Sequence, residues 1–241
     1  MNWSSALLII QTFSTSYLRT AGTRTRRFIY SPETNNFVDI FSACVASNRA
    51  EAIEVLCARG VVPEFSDGID AAIFGHKEVL AALVTPRCGL NVSEVDGDED
   101  EESPLHAAAR QGHAGVVRLL LQLKADAGAT SGDGLTPLDV ATTDETTGLL
   151  EAMQSIAAAL RAPSACAFAC DGADVDPISQ TPVAGHVVLK SQGIAAGQKC
   201  VILESMLGWV LSHESDPFSR AEYTLEQLAK DVVADACFLH A

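Results

Sequence analysis

The segment ESPLHAAARQGHAGVVRLLLQLKADAGATSGDGLTPLDVAT contains its own echo. A repeat of this length constrains the fold to a stack of equivalent units. Ser103-Pro104-Leu105-His106 recurs 33 residues later as Thr136-Pro137-Leu138-Asp139. Serine or threonine suits a helix N-cap, because its oxygen accepts from an otherwise bare backbone N–H. Proline fits the first helical position, where its missing N–H costs nothing. Leu105, Ala108 and Ala109 then form a short apolar face with small residues for close helix contact. Gly112-His113 breaks that helix, and Val116, Val117, Leu119, Leu120 and Leu121 build a second one at helical spacing. The Gly132-Asp133-Gly134 turn returns the chain to the next unit.

Two weaker copies lie upstream. Gly75 to Leu83 echoes Gly112 onward and is preceded by Asp70-Ala71-Ala72; earlier, Phe41, Cys44, Asn48, Ile53, Val55, Leu56 and Gly60 hold equivalent positions, with Asn48 in place of glycine. Gly75 and Gly112 are 37 residues apart because the connection carries an acidic insertion, Asp96-Gly97-Asp98-Glu99-Asp100-Glu101-Glu102. That run reads as a solvated loop, or as bait for a basic partner. The fourth unit runs from Thr136 through Leu149, Leu150, Met153 and Ile156 to near Leu160. This pattern resembles the ankyrin repeat, with its TPLH box and period of about 33 residues. The resemblance implies a recognition surface for a protein substrate, and it gives His106 and His113 structural roles in hydrogen bonding and packing.

The remaining bulk properties narrow the partners. Of 241 residues, 16 are basic and 31 acidic, a net charge of -15 that argues against nucleic acid or an anionic membrane. The N-terminal segment is the exception: residues 1–33 hold Arg19, Arg24, Arg26 and Arg27 and are rich in serine and threonine. It reads either as an organelle transit peptide or as a disordered, dispensable extension. Its apolar core, Ala6 to Ile10, is far too short to span a bilayer, and no other segment is long and apolar enough. Seven scattered cysteines, an odd number at irregular spacing, point to free thiols in a reducing compartment. Cys166 and Cys170 are the close pair, but no second pair follows at zinc-site spacing, so no metal and no cofactor are expected.

Residues 161–175 read as a linker, and 176–241 have a different texture. Asp176-Pro177-Ile178-Ser179 is a turn. Val183, Val187, Val188 and Leu189 form a β-branched apolar group before Ser191-Gln192-Gly193, which suggests a short hairpin. Glu204 to Ser212 is an amphipathic helix with Met206, Trp209 and Val210 on one face. Asp216-Pro217 starts a second turn, and Thr224-Leu225-Glu226-Gln227 is a capping box opening a last helix.

DPISQTPVAGHVVLKSQG followed by DPFSRAEYT resembles the U-box of ubiquitin ligases, with Ile178, Val187, Leu189 and Ser191, then Asp216, Pro217, Phe218, Arg220 and Thr224 in register. Two departures stand out. The family's Asp-Pro before Val187 is Gly185-His186 here, and the acid–arginine pair after the Ser-Gly is replaced by Ile194-Ala195-Ala196-Gly197. The resemblance implies that Ile178 and Pro217 form an apolar rim that grips a ubiquitin-conjugating enzyme, with Trp209 on the floor between them. It implies that Arg220 bridges ubiquitin and that enzyme, positioning the thioester without a covalent intermediate. It also implies dimerisation through the module. The residues themselves leave alternatives open: Phe218 as a core anchor, Trp209 as wholly buried, and Arg220 as a helix cap or a partner of Glu222.

The sequence therefore reads as mainly α: an ankyrin solenoid over 34–160 of about four repeats, then a small α+β U-box-like module. The function expected is a ubiquitin-protein ligase, a transferase working in the cytoplasm, or in an organelle if the leader is a transit peptide. A non-catalytic ankyrin adaptor with a degenerate U-box is the alternative. No phosphate loop, nucleophile elbow or HExxH pair is present in the sequence.

Overall fold

The computed structural model describes residues 28–31, 36–92, 102–161, 164–165, 175–183, 186–191, 199–235 and 237–238. The chain divides into two compact units, residues 1–125 with 129–141, and residues 126–128 with 142–241.

The first unit opens with an antiparallel hairpin, β1 (Phe28–Ser31) and β2 (Asn36–Asp39), in which Phe28 pairs with Asp39 and Ser31 with Asn36. Phe28–Ser31 belong to the expected 1–33 leader, disordered or transit-like, and pair here as β1; the rest of the leader lies outside the described residues. Three helix pairs follow: α1 (Ile40–Ala46) with α2 (Ala50–Ala58), α3 (Phe65–Ile73) with α4 (Lys77–Leu83), and α5 (Pro104–Gln111) with α6 (Ala114–Gln122). First helices pack in one row, α1 on α3 on α5, and second helices in another, α2 on α4 on α6. Between the rows lies a continuous core in which Phe41, Ile53, Leu80, Leu83, Leu105 and Leu120 are fully buried.

Local chemistry fixes each helix end. Ser103 caps α5, Pro104 follows at its start, and Gly112 closes it in the left-handed region at φ 73. Asn48 takes the equivalent bend at φ 51, which asparagine tolerates better than most residues. Every residue from Pro104 to Ala109 is buried, and the alanines are what let neighbouring helices approach.

The fourth unit departs from the expected pattern. Its first segment, Pro137 to Val140, is a turn rather than an α-helix. Thr143 supplies the reason: it forms a new cap with Thr146, each hydroxyl serving the other's backbone N–H, and starts α7 (Asp144–Arg161) before a first helix can develop.

In the second unit α7 buries Leu149, Leu150, Ala152 and Ile156 and packs on α9 (Leu225–Asp235). A four-stranded sheet runs in the order β3 (Ser164–Ala165), β6 (Cys237–Phe238), β4 (Val187–Ser191), β5 (Lys199–Ile202). The strand expected near Val187 pairs antiparallel with Lys199–Ile202, Val188 opposite Ile202; Ser191, expected in the turn, ends β4, and Gln192 and Gly193 lie outside the described residues. Helix α8 (Leu203–His213) lies on β4 and β5. Val188, Leu203, Val210, Leu225 and Leu228 make the core. Residues 166–174, most of the expected linker, lie outside the described residues.

The expectation of free thiols is overturned at three cysteines. Cys57 and Cys88 form a disulfide, and Cys200 is also disulfide-bonded. Pairing depends on proximity in three dimensions, which irregular sequence spacing does not reveal. Cys44 is free and buried. Cys166 and Cys170 lie outside the described residues, and no cluster with metal-binding geometry occurs among the described ones. No helix of the described residues is long and apolar enough to cross a membrane.

Candidate functional site

The polar wiring of the array comes first, because it separates structural residues from those free to bind. In α5 the Nε2–H of His106 donates to the Leu135 carbonyl at 3.0 Å. Its Nδ1 accepts from the Ser103 N–H at 3.3 Å and lies 2.7 Å from the Ser103 hydroxyl. His113 Nε2 donates to the Ile73 carbonyl at 2.9 Å, and His76 Nδ1 to the Val45 carbonyl at 2.8 Å. Each of these two ties the start of a second helix to the first helix of the preceding unit. All three histidines are therefore occupied in holding repeats together.

The third residue after each cap repeats the same service. Asp67 accepts from Glu64 N–H at 2.7 Å, and Asp139 accepts from Thr136 N–H at 2.8 Å. Glu102, the last acid of the insertion, pairs with Arg110; an ion pair this exposed adds little stability. Residues 93–101 lie outside the described residues. Among the described residues of the array the large exposed apolar side chains are Val62 before α3, Ile73 and Phe74 at its end, and Leu135 on the connection before Thr136.

The C-terminal unit holds two loops of one design. In the first, Asp176 N–H donates to Thr181 O at 2.8 Å and Gln180 N–H to Asp176 O at 2.9 Å. In the second, Asp216 N–H donates to Ala221 O at 2.9 Å and Arg220 N–H to Asp216 O at 3.0 Å. The aspartates also serve alike, accepting from Ser179 N–H and Ser219 N–H at 2.7 Å. Gln180 and Arg220 both take the left-handed conformation, at φ 60 and 58. The two stretches, DPISQT and DPFSRA, stand 40 residues apart in the sequence. That correspondence is visible in the residues, and the sequence reading does not draw it. Asp176 goes further than Asp216: it is fully buried, and its other oxygen accepts from the Ile202 N–H of β5 at 3.2 Å.

Each residue of the expected site falls on these elements. Ile178 lies on the first loop, and Pro217 and Phe218 on the second, all half-buried. Trp209 is on α8, half-buried, with its ring stacked on His213 at 4.1 Å and its Nε1 without a hydrogen-bond partner among the described residues. The i, i+4 spacing of Trp209 and His213 was the signal available for that pair. Arg220 is exposed, and neither a helix carbonyl nor Glu222 engages its guanidinium among the described residues. Instead Glu222 belongs to the loop closure, its backbone bridged to Ser215. Tyr223 donates to Asp231 of α9, and burial, ahead of that bond, raises its phenol above the ordinary range. A groove of about 520 Å³ between α7 and α9 is lined by Glu151, Ser155, Lys230 and Val233 among others, and none of the expected site residues borders it.

Residues 69–161 match the family model for ankyrin repeats (3 copies). This segment is an ankyrin-repeat array, and such repeats serve protein–protein interaction. The match begins within α3, so the first helix pair is joined to the array by its packing and by the His76–Val45 bond.

Proposed function

We propose that this protein is a ubiquitin-protein ligase in which the ankyrin array binds the substrate and the C-terminal unit recruits a ubiquitin-charged conjugating enzyme. The observation that supports the reading is the pair of matching loops, Asp176–Thr181 and Asp216–Ala221, separated by a hairpin and a helix. Hydrogen bonds accepted by the two aspartate carboxylates hold these loops in shape. Ile178 and Pro217 on these loops and Trp209 on α8 are each half-buried, and on this reading they form the apolar grip. Arg220 supplies the polar contact. A guanidinium with several donors in a planar fork suits bridging two proteins at once, and lysine would serve poorly. Catalysis on this reading is positioning: the thioester is held where a substrate lysine attacks it directly. The work would be done in the cytoplasm.

The departures at Gly185-His186 and Ile194 to Gly197 favour a second reading, an ankyrin adaptor whose C-terminal unit keeps the fold without transfer activity. One experiment divides them. Purified protein is incubated with activating enzyme, ubiquitin and a panel of conjugating enzymes, beside Ile178→Ala and Arg220→Ala. Chains built by wild type and lost in both variants support the ligase. Folded wild-type protein that stays silent across the panel rejects it and leaves the adaptor.

A further inference from the structure

The Cys57–Cys88 disulfide has a particular place in the array. Cys57 is in α2 of the first helix pair and Cys88 follows α4 of the second, with Cα atoms 5.0 Å apart. The bond therefore encloses the whole of α3 and α4 and crosses one interface, that of α1 and α2 with α3 and α4. A solenoid opens locally, one repeat interface at a time. Both residues are buried, at 5% and 7% exposed. A thiolate must reach a sulfur to exchange with it, so the closed interface shields the bond and a transient opening uncovers it. Cys44, on α1, does not compete, because burial first, then Asp39, pushes its thiol up to about 11.

We infer that the Cys57–Cys88 disulfide is a redox latch on the first helix pair. A dithiol reductant attacks one sulfur, forms a mixed disulfide, then closes on itself. Two electrons and two protons pass to Cys57 and Cys88, both become thiols, and the reductant leaves as a disulfide. Packing and the His76–Val45 hydrogen bond then remain to hold the first pair. It opens more often, baring the faces of α3 and α4 that α1 and α2 cover. In a reducing compartment such a bond is transient and sensing; in an oxidising one it stays shut.

Hydrogen exchange on the full-length protein, with and without dithiothreitol, tests this. Alkylation before denaturation, followed by non-reducing digestion, should recover a peptide pair joined through Cys57 and Cys88. Reduction should speed exchange in α1 and α2 by about tenfold or more and leave α5 and α6 unchanged, the signature of local opening. Cys57→Ser/Cys88→Ser, which keeps Cys200, should exchange fast in α1 and α2 without reductant and respond no further. Absence of the linked peptide overturns the latch. So does unchanged exchange in α1 and α2 on reduction, equal acceleration through α5 and α6, or wild-type protection in the double variant.

Discussion

The array and the C-terminal unit both face the problem of turning a chain without leaving backbone N–H groups bare, and they distribute the answer differently. In the array one small box serves each unit after the first, Glu64 with Asp67, Ser103 with His106, Thr136 with Asp139, and single histidine bonds join neighbours. No one of them spans more than an interface. In the C-terminal unit two aspartates carry whole loops, and Asp176 also reaches the β5 backbone. Repetition dilutes the cost of losing any residue; a small α+β unit concentrates it. Backbone polar groups buried without partners are what set that cost.

Asp176→Ala should have the largest effect. It strips the buried acceptor from Ser179 N–H and Ile202 N–H together, a loss of about 3 kcal/mol. Asp216→Ala, which is half-buried and serves its own loop, should cost about half of that. Hydrogen exchange over β4 and β5 checks it. Equal effects of the two would break the contrast, because the loops would then be interchangeable.

His106→Ala should come next, at about 2 kcal/mol, from the loss of the Leu135 bond and a buried ring. Urea unfolding followed by exchange in α5 and α6 measures it. The loss should stay within the array; faster exchange at β4 and β5 as well would mean that the two units do not unfold separately.

The smallest effects are electrostatic and opposite in sign. Asp139 sits below its ordinary value of 3.8 because the Thr136 hydroxyl, then the Thr136 N–H, donate to it. Its contribution is present above that value and is lost as pH falls through the lower folded value. Asp70 sits above 3.8 because of burial, then Asp39, so its carboxyl favours the folded state at low pH and loses that advantage as pH rises. Thermal midpoints of Asp139→Asn and Asp70→Asn against wild type should therefore diverge between acid and neutral pH. Parallel curves would refute the assignment.

How much of this could be read from residues alone differs between the units. The helix pairs from Asp70 onward follow from apolar spacing and caps, which are local. The box at Glu64 and Asp67 was missed because glutamate is a poor N-cap by preference, and only the position of Asp67 in the fold gives it a partner. The first helix expected in the fourth unit does not form: Pro137 signals a start, but Thr143 signals another soon after, and the later cap wins. Strand β5, Lys-Cys-Val-Ile, is too short to show alternation, so its pairing with β4 was invisible. The loops carrying Ile178 and Pro217 were found through resemblance, while their shared wiring lay open in DPISQT and DPFSRA. Disulfide partners lay beyond reach, since nothing local ties Cys57 to Cys88.

Helix α7 has two allegiances. By sequence it is the last helix of the matched repeats, which run to residue 161; by packing it supplies the surface on which α9 rests. Glu226 lies where a side chain at Gly148 would point, 2.6 Å from the position of an added Cβ, so the seam between the helices is fitted around a missing side chain. A fragment cut after Arg161 would take α9 without that bed, and one cut before Thr143 would carry it along. Swapping in another array to redirect the protein to a new target would have to leave α7 behind.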